Sequence, residues 1–359
     1  MEIGIIGLPN VGKSTLFNAL SHLNVPAENF PFTTIEPNIG IVPLPDERLK
    51  KLGELFSPDK LTPTTVKFVD IAGLVKGASI GEGLGNKFLA HIREVNSIIQ
   101  VVRLFDTGNV VNTIEKCDPE QEIGIIETEL ILSDLELAIS AKEKLAGLMN
   151  SGNKDAKAKG EILATIKNYL DQNKTVKTAL KENNIDPKVI AEYNFLTNKQ
   201  SLYVFNINEK TSAEMLKKAK DYTCNIKKSD SVEINAQIEA ELSQLPEEER
   251  EGFAKEMDVE SKIDVLIKKS NDLLNLIQFY TVVGKEIRAW SIPTGTTVKS
   301  AAGKIHTDMG KGFIRAEVYA FGDLVELGSE KALREKGLAR IEGKDYIVKD
   351  GDIIQIRFQ

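Results

Sequence analysis

The sequence predicts an α/β protein: a parallel sheet wrapped by helices, interrupted by a helical insertion and followed by a small mixed α+β domain. Three observations carry this reading. Over the first hundred residues, short β-branched runs alternate with glycine loops and helical patterns. From about Pro119 the apolar spacing becomes purely helical, and from about Phe279 strand-like runs return.

Glu2–Ile6, Gly40–Val42, Thr65–Val69 and Ile98–Leu104 read as strands of the parallel sheet, with a helix over Lys13–Leu20. In Ile123–Leu148 the apolar residues Ile126, Leu130, Leu135, Ala138, Ala141, Leu145 and Leu148 fit one helix face. The polar break Asn150–Asp155 follows, and Ala156–Leu170 resumes the helical pattern, so two antiparallel helices form an αα-hairpin. Leu202–Phe205 is again a buried-strand run, which makes the hairpin an insertion within the sheet domain. A helical stretch, Glu247–Ile277, leads to strands at Phe279–Val283, Ile287–Ile292 and Phe313–Phe321, with helices at Val298–Ile305 and Lys331–Ala339. A β-hairpin over Asp345–Phe358 turning at Asp350-Gly351 closes the chain.

At roughly 100–200 residues per domain, 359 residues predict two or three domains. Hydrophobic residues at 42% and charged residues at 28% exclude disordered and fibrous classes. The two cysteines, Cys117 and Cys224, lie too far apart for a zinc knuckle or a disulfide framework and read as buried thiols of a reducing cytoplasm. The start MEIGIIGLP lacks a basic segment and a cleavage site, and no apolar run approaches the ~20 residues of a membrane helix, so a cytoplasmic protein without a membrane partner is expected. The net charge is −7, but residues 277–359 hold 13 Lys+Arg against 11 Asp+Glu, leaving −9 on the other 276. On charge alone this fits either a nucleic-acid contact favouring the C-terminal part or, equally, ordinary surface variation.

The strongest local signal is Gly7-Leu-Pro-Asn-Val-Gly12-Lys13-Ser14, a full G-x-x-x-x-G-K-[ST] match between a strand and a helix. Glycines let backbone N–H groups wrap phosphate oxygens, and the helix N-terminus adds its positive end. Lys13 would reach the β/γ-phosphates and the Ser14 hydroxyl would ligate Mg²⁺. Downstream, Val66-Lys-Phe-Val-Asp70-Ile-Ala-Gly73 supplies a strand ending in D-x-x-G: Asp70 would hold Mg²⁺ through water, and the Gly73 N–H would meet the γ-phosphate. Between them, Thr33 and Thr34 are candidates for a second Mg²⁺ ligand, Thr34 being favoured. Leu74 stands where Ras carries a water-orienting Gln, so another group must place the attacking water. The run Gly77–Asn86 holds four glycines in nine residues (77–85), as a switch segment requires.

Guanine-specific proteins use N-K-x-D after a late strand, and this chain has none; the slot after Leu202–Phe205 reads Asn206-Ile207-Asn208-Glu209. That redirects base choice, most plainly towards adenine, unless Asn206 only caps a turn. His91 reads as a helix-surface residue; Trp290, His306 and Arg315 read as core or ordinary surface in preference to the lining of a binding surface.

Taken together, Gly7–Thr15, Phe30–Asn38 (FPFTTIEPN), Asp70–Asn86 (DIAGLVKGASIGEGLGN), Asn206–Glu209 and the C-terminal run Ala301–Asp352 resemble the YchF family, the Obg-like ATPases, over essentially the whole chain. The resemblance implies a Ras-like P-loop NTPase domain of OBG type at 1–122 and 198–276, a helical coiled-coil insertion at 123–197 and a C-terminal TGS domain of β-grasp fold at 277–359. It implies an ATPase that prefers ATP over GTP and replaces the catalytic Gln by an apolar residue, here Leu74, and it implies association with ribosomes, translation and stress responses. Catalytic roles fall on Lys13, Asp70 and Gly73; phosphate binding on Asn10, Val11, Gly12, Lys13, Ser14 and Thr15; base recognition on Asn206, Ile207 and Glu209; Mg²⁺ binding on Ser14 and Thr34. Asn10 also matches the P-loop asparagine that related GTPases use to help bind K⁺. The chain departs from many bacterial relatives at Val110-Val-Asn112, where they place a His. Ribosome binding, to the large subunit or the whole particle, with RNA contact through the helical and TGS modules, is the expected role. A GTPase or dual-specificity enzyme, and a nucleotide-gated scaffold without catalysis, are the alternatives.

Overall fold

The computed structural model describes residues 1–23, 38–71, 84–105, 117–256 and 259–359. The chain opens with β1 (Glu2–Gly7), α1 (Lys13–His22), β2 (Ile39–Pro43), α2 (Glu47–Phe56), β3 (Lys60–Thr62), β4 (Thr65–Asp70), α3 (Leu84–Glu94) and β5 (Ser97–Arg103). Then come α4 (Pro119–Asn150), α5 (Lys154–Asp171), α6 (Val176–Glu182), β6 (Ser201–Asn206), α7 (Ala213–Asp221), β7 (Ser231–Ile234), α8 (Ala236–Ser243), α9 (Glu247–Glu256) and α10 (Ile263–Leu273). The last stretch holds β8 (Leu276–Val283), β9 (Glu286–Pro293), α11 (Val298–Ile305), α12 (Thr307–Lys311), β10 (Phe313–Ala320), α13 (Phe321–Leu327), α14 (Glu330–Glu335), β11 (Arg340–Glu342) and β12 (Asp352–Phe358). Two compact units result: Met1–Ile41 with Lys67–Val265, and Val42–Val66 with Leu266–Gln359.

In the first unit the strands run in the order β2-β4-β1-β5-β6-β7. The pairs β1–β4, β1–β5, β5–β6 and β6–β7 are parallel, so their carboxyl ends gather on one edge. All seven residues of β5 are buried, the pattern of a strand covered on both faces. Beside this sheet α4 and α5 form the expected hairpin. Gly152 turns it with φ +82, and Asn153 caps α5 by accepting from Ala156 N–H at 3.0 Å. Met149 packs on Gly160: a Cβ there would lie 2.6 Å from Met149 Sδ, so a larger residue would have to turn that flexible side chain aside. Leu163 and Ile166 on α5 are fully buried against Ala138 and Ala141 of α4, each aliphatic side chain worth about 1.5–3 kcal/mol. Leu148, expected on that apolar face, is half exposed near the hairpin tip.

In the second unit the order is β11-β10-β12-β8-β9-β3. Val42–Val66 was expected within the nucleotide domain, yet β3 pairs in parallel with β9, and Leu49 and Leu52 of α2 join Tyr280, Ile287 and Ile353 in one apolar core. A second difference concerns the closing hairpin. Asp345–Lys349 forms no strand against β12; Ile347 makes an isolated bridge to Thr297, while β12 pairs with β10 and β8. The turn itself is present, with Gly351 at φ +86. The expected helix over Glu247–Ile277 divides into α9 and α10, and Leu276 already begins β8. Trp290 stacks on Phe279 at 6.4 Å and donates to Thr281 Oγ1 at 3.0 Å, and Arg315 and His306 are exposed, as expected of core and ordinary surface residues. Cys224 is exposed rather than buried, because it sits on a π-helical turn, Tyr222–Lys227, at the surface.

Candidate active site

The site lies at the carboxyl edge of the parallel sheet, where β1, β4, β5 and β6 deliver their last residues, the usual position for ligands in open α/β sheets. After β1 the chain turns sharply: Asn10 at φ +64 and Gly12 at φ +92 both adopt the left-handed conformation. Asparagine tolerates it and glycine takes it freely. Gly7 is required for a different reason, since a Cβ there would lie 2.8 Å from Val11 Cγ2 and 3.0 Å from Val101 O.

Helix α1 then begins with no side-chain cap at Gly12 and no acidic residue in its first turn. Its leading N–H groups therefore face outward with the positive end of the helix dipole behind them, a ready seat for phosphate oxygens. Lys13 is buried and forms an ion pair with Asp70, at the end of β4. The two meet because Asp70 stands opposite Ile5 in the β1–β4 register. Ser14, beside Lys13, is exposed on the first turn, and Thr15 is half-buried. A hydroxyl and a carboxylate flanking a phosphate cradle are hard oxygen donors of the kind Mg²⁺ accepts.

Asn206 shows what sequence reasoning missed. Its side chain is 5% exposed; Nδ2 donates to Val11 O at 2.9 Å, and Oδ1 accepts from Ala236 N–H at 3.1 Å. The residue thus ties the phosphate loop to the start of α8, keeping one amide proton and one lone pair for other use. It does not cap a turn. Ile207 donates through its backbone to Ile234 O at 2.9 Å and packs beside Phe205, and Glu209 is exposed on the turn closed by Thr211 N–H and Asn208 O. Opposite Asn206 in register stands Arg103, whose N–H donates to Glu122 Oε2 at 3.2 Å. Burial pushes the Glu122 carboxyl up to about 7, partly offset by Arg103. Thr34, Gly73, Leu74 and Asn112 lie outside the described residues. His91 is on the exposed side of α3, as expected.

A buried polar knot holds α3 to the helical insertion. Asp134 of α4 is fully buried and accepts from Leu196 N–H, Thr197 N–H and Thr197 Oγ1, each at 2.8 Å, with Arg93 Nη1 at 3.6 Å. Burial raises its pKa against the pull of these donors.

Comparison with known proteins agrees with this geometry. Residues 2–133 match the family described as 50S ribosome-binding GTPase, and residues 276–359 match the C-terminal domain of YchF GTPases, itself described as of unknown function. The ribosome-binding ATPase YchF of Escherichia coli O157:H7 is 45% identical over 362 residues, covering 99% of each chain. That of Bacillus subtilis is 42% identical, covering 100% of this chain and 99% of its own. The solved structure of the Schizosaccharomyces pombe YchF GTPase superposes with a TM-score of 0.85 at 33% identity, covering 99% of this chain and 97% of the other. With identity at this level along the full length and the phosphate loop, acidic strand end and C-terminal sheet all in place, the chain belongs to the YchF family.

Proposed function

We propose that this chain is a Mg²⁺-dependent ATPase that hydrolyses ATP to ADP and phosphate and works as a nucleotide-dependent switch on the ribosome. The observation that carries it is the loop Gly7–Ser14, whose left-handed Asn10 and Gly12 open an uncapped helix N-terminus beside buried Lys13 and its partner Asp70. The names of the relatives, ribosome-binding ATPases, support the same role, and the 50S in the description of the matching family favours the large subunit. No helix among the described residues is long and apolar enough to cross a membrane, and a cytoplasmic place of work fits a ribosomal partner.

The N–H groups from Asn10 to Thr15 bind and orient the phosphates, and Lys13 stabilises charge developing on the transferred group. Ser14 and Thr34 would hold Mg²⁺ directly and Asp70 through water; the ion supplies charge neutralisation across the β- and γ-phosphate oxygens. The Gly73 N–H would accompany the γ-phosphate. Leu74 offers no hydrogen bond to water, so turnover of the isolated protein is expected to be slow. Asn206, Ile207 and Glu209 form the base-recognition element, with Asn206 acting as much through its hold on Val11 as through the base. K⁺ beside Asn10 is a candidate activator. The domain division and the RNA contacts of the helical and TGS modules belong to the same proposal.

Binding of labelled ATP and GTP, each challenged by the other with Mg²⁺ present, tests the base preference. Tenfold preference for ATP, about 1.4 kcal/mol, supports it, and preference for GTP overturns it. The name of the S. pombe relative, a GTPase, supports GTP as the alternative substrate. Lys13→Ala should lower turnover by about a hundredfold or more, as loss of a charge-stabilising donor does; unchanged turnover would remove this loop from the chemistry.

A further inference from the structure

Against the same sheet, reaching from Ile6 towards the amino ends of β5 and β6, lies a half-enclosed cavity of about 590 Å³. Gln100 of β5 and Tyr203 of β6 form its floor, with Glu127 and Leu130 of α4 as one wall. Six lysines line the rest: Lys174, Lys177, Lys181, Lys199, Lys227 and Lys228. Against Glu127 and Glu182 they leave a lining of +4 in a chain whose net charge is −7. A chance surface of an acidic protein does not concentrate cations this way around a concavity.

How these groups are held is informative. Lys177 Nζ donates to the neutral Gln200 Oε1 at 2.9 Å, whereas Lys199 Nζ spends all three protons on Arg93 O at 3.1 Å, Val95 O at 2.6 Å and Asn194 Oδ1 at 2.9 Å. Lys227 takes Glu127 as its partner, while Glu182 accepts from Tyr169. The two carboxylates are thus engaged on one wall and at the rim. Burial and neighbouring Lys181 lower the Lys177 pKa; burial and Arg93 bring Lys199 down to about 8. Cations crowded in this way gain from an arriving anion. Independently, Gln100 is 6% exposed, and its Nε2 makes no hydrogen bond. A buried donor left unmet on a cavity floor is costly unless something reaches it.

We propose that this cavity binds a small anion carrying several phosphate groups, with Lys174, Lys177, Lys181 and Lys228 on the phosphates and the Gln100 carboxamide, sealed from solvent as it stands, turning to donate to an acceptor at the floor. Its volume lies within the range of small-molecule sites, ~300–1,000 Å³. The same chemistry is presented by an RNA backbone, but a half-enclosed pocket with its spare donor at the bottom suits a compact ligand over a polymer.

The test uses the full chain carrying Lys13→Ala, so that the phosphate loop no longer dominates. Inorganic tripolyphosphate is titrated calorimetrically, and a single-stranded RNA dodecamer is titrated in parallel. Tripolyphosphate is expected to bind, more weakly as salt rises, and Lys181→Glu with Lys228→Glu, both exposed positions, should weaken it tenfold or more without lowering the melting temperature. Gln100→Leu should weaken binding while raising the melting temperature, because it removes an unmet donor. Tripolyphosphate affinity indifferent to the lysine pair, or binding of the RNA alone, would overturn the proposal. Neither outcome touches the ATPase reading, which rests on the loop Gly7–Ser14 and not on these lysines.

Discussion

Gly12→Ala should damage the protein by a route that can be isolated. Gly12 holds φ +92, and an alanine there costs about 1–2 kcal/mol in backbone strain. A Cβ would also overlap Asn206 Nδ2, which must then leave Val11 O. Leaving that buried acceptor unpaired adds about 1–3 kcal/mol. The single substitution should therefore cost about 2–5 kcal/mol. Asn206→Ala alone should cost about 1–3 kcal/mol for its two lost partners, Val11 O and Ala236 N. In the double variant the overlap is gone and only strain is added, so its loss should fall short of the sum by about 1–3 kcal/mol. Urea unfolding of the four proteins, followed through the transition that nucleotide shifts, measures this coupling. Strict additivity would refute the overlap as the cause, and an undamaged Gly12→Ala would refute the backbone argument as well.

Other outcomes follow from the same contacts. Asp134→Ala strips Leu196 N–H, Thr197 N–H and Arg93 of their common acceptor and should lower stability by about 3–5 kcal/mol in chemical unfolding. Glu122, pushed up to about 7 from 4.5, holds its proton more tightly when folded, so its contribution is full below about 4.5 and is lost as pH rises to about 7. That loss amounts to about 3 kcal/mol, and Glu122→Gln should flatten stability across this window in melts at pH 4.5 to 7.5. In the C-terminal unit, burial pushes Asp350 up, but Arg48 at 2.7 Å and Gln278 N–H outweigh it and hold the carboxyl below its usual value. Arg48→Ala should return that pKa upward, and NMR titration of the Asp350 carboxyl checks it.

Motifs made of consecutive residues were readable in advance. The β1–loop–α1 unit follows from local rules: alternation, glycine, an uncapped helix start. The αα-hairpin follows from apolar spacing ended by Ser151-Gly152-Asn153. Two kinds of feature were not readable. Strand partners are set by distant surfaces, so Asp345–Lys349 carries the same alternation as a true strand although Ile347 only touches Thr297. The short β3 gives no local hint that it belongs with β9; the one signal was the i, i+3, i+7 spacing of Leu49, Leu52 and Phe56, an apolar face needing cover. In the site, Asn206 was identified by its place after the run Leu202–Phe205, yet its hold on Val11 and Ala236 depends on three segments meeting, which no single stretch of sequence records.

The pairing of β3 with β9 has a consequence for biosynthesis. Thr62 stands opposite Arg288, so the ribosome must add 226 residues before β3 meets its neighbour. At about 5–20 residues per second that interval is roughly 10–45 seconds. Throughout it the apolar side chains of Leu49 and Leu52 lack Tyr280 and Ile287, the residues that bury them. A nascent chain in this condition is a natural client for a holding chaperone, and a C-terminal fragment begun at residue 277 would be born without its edge strand.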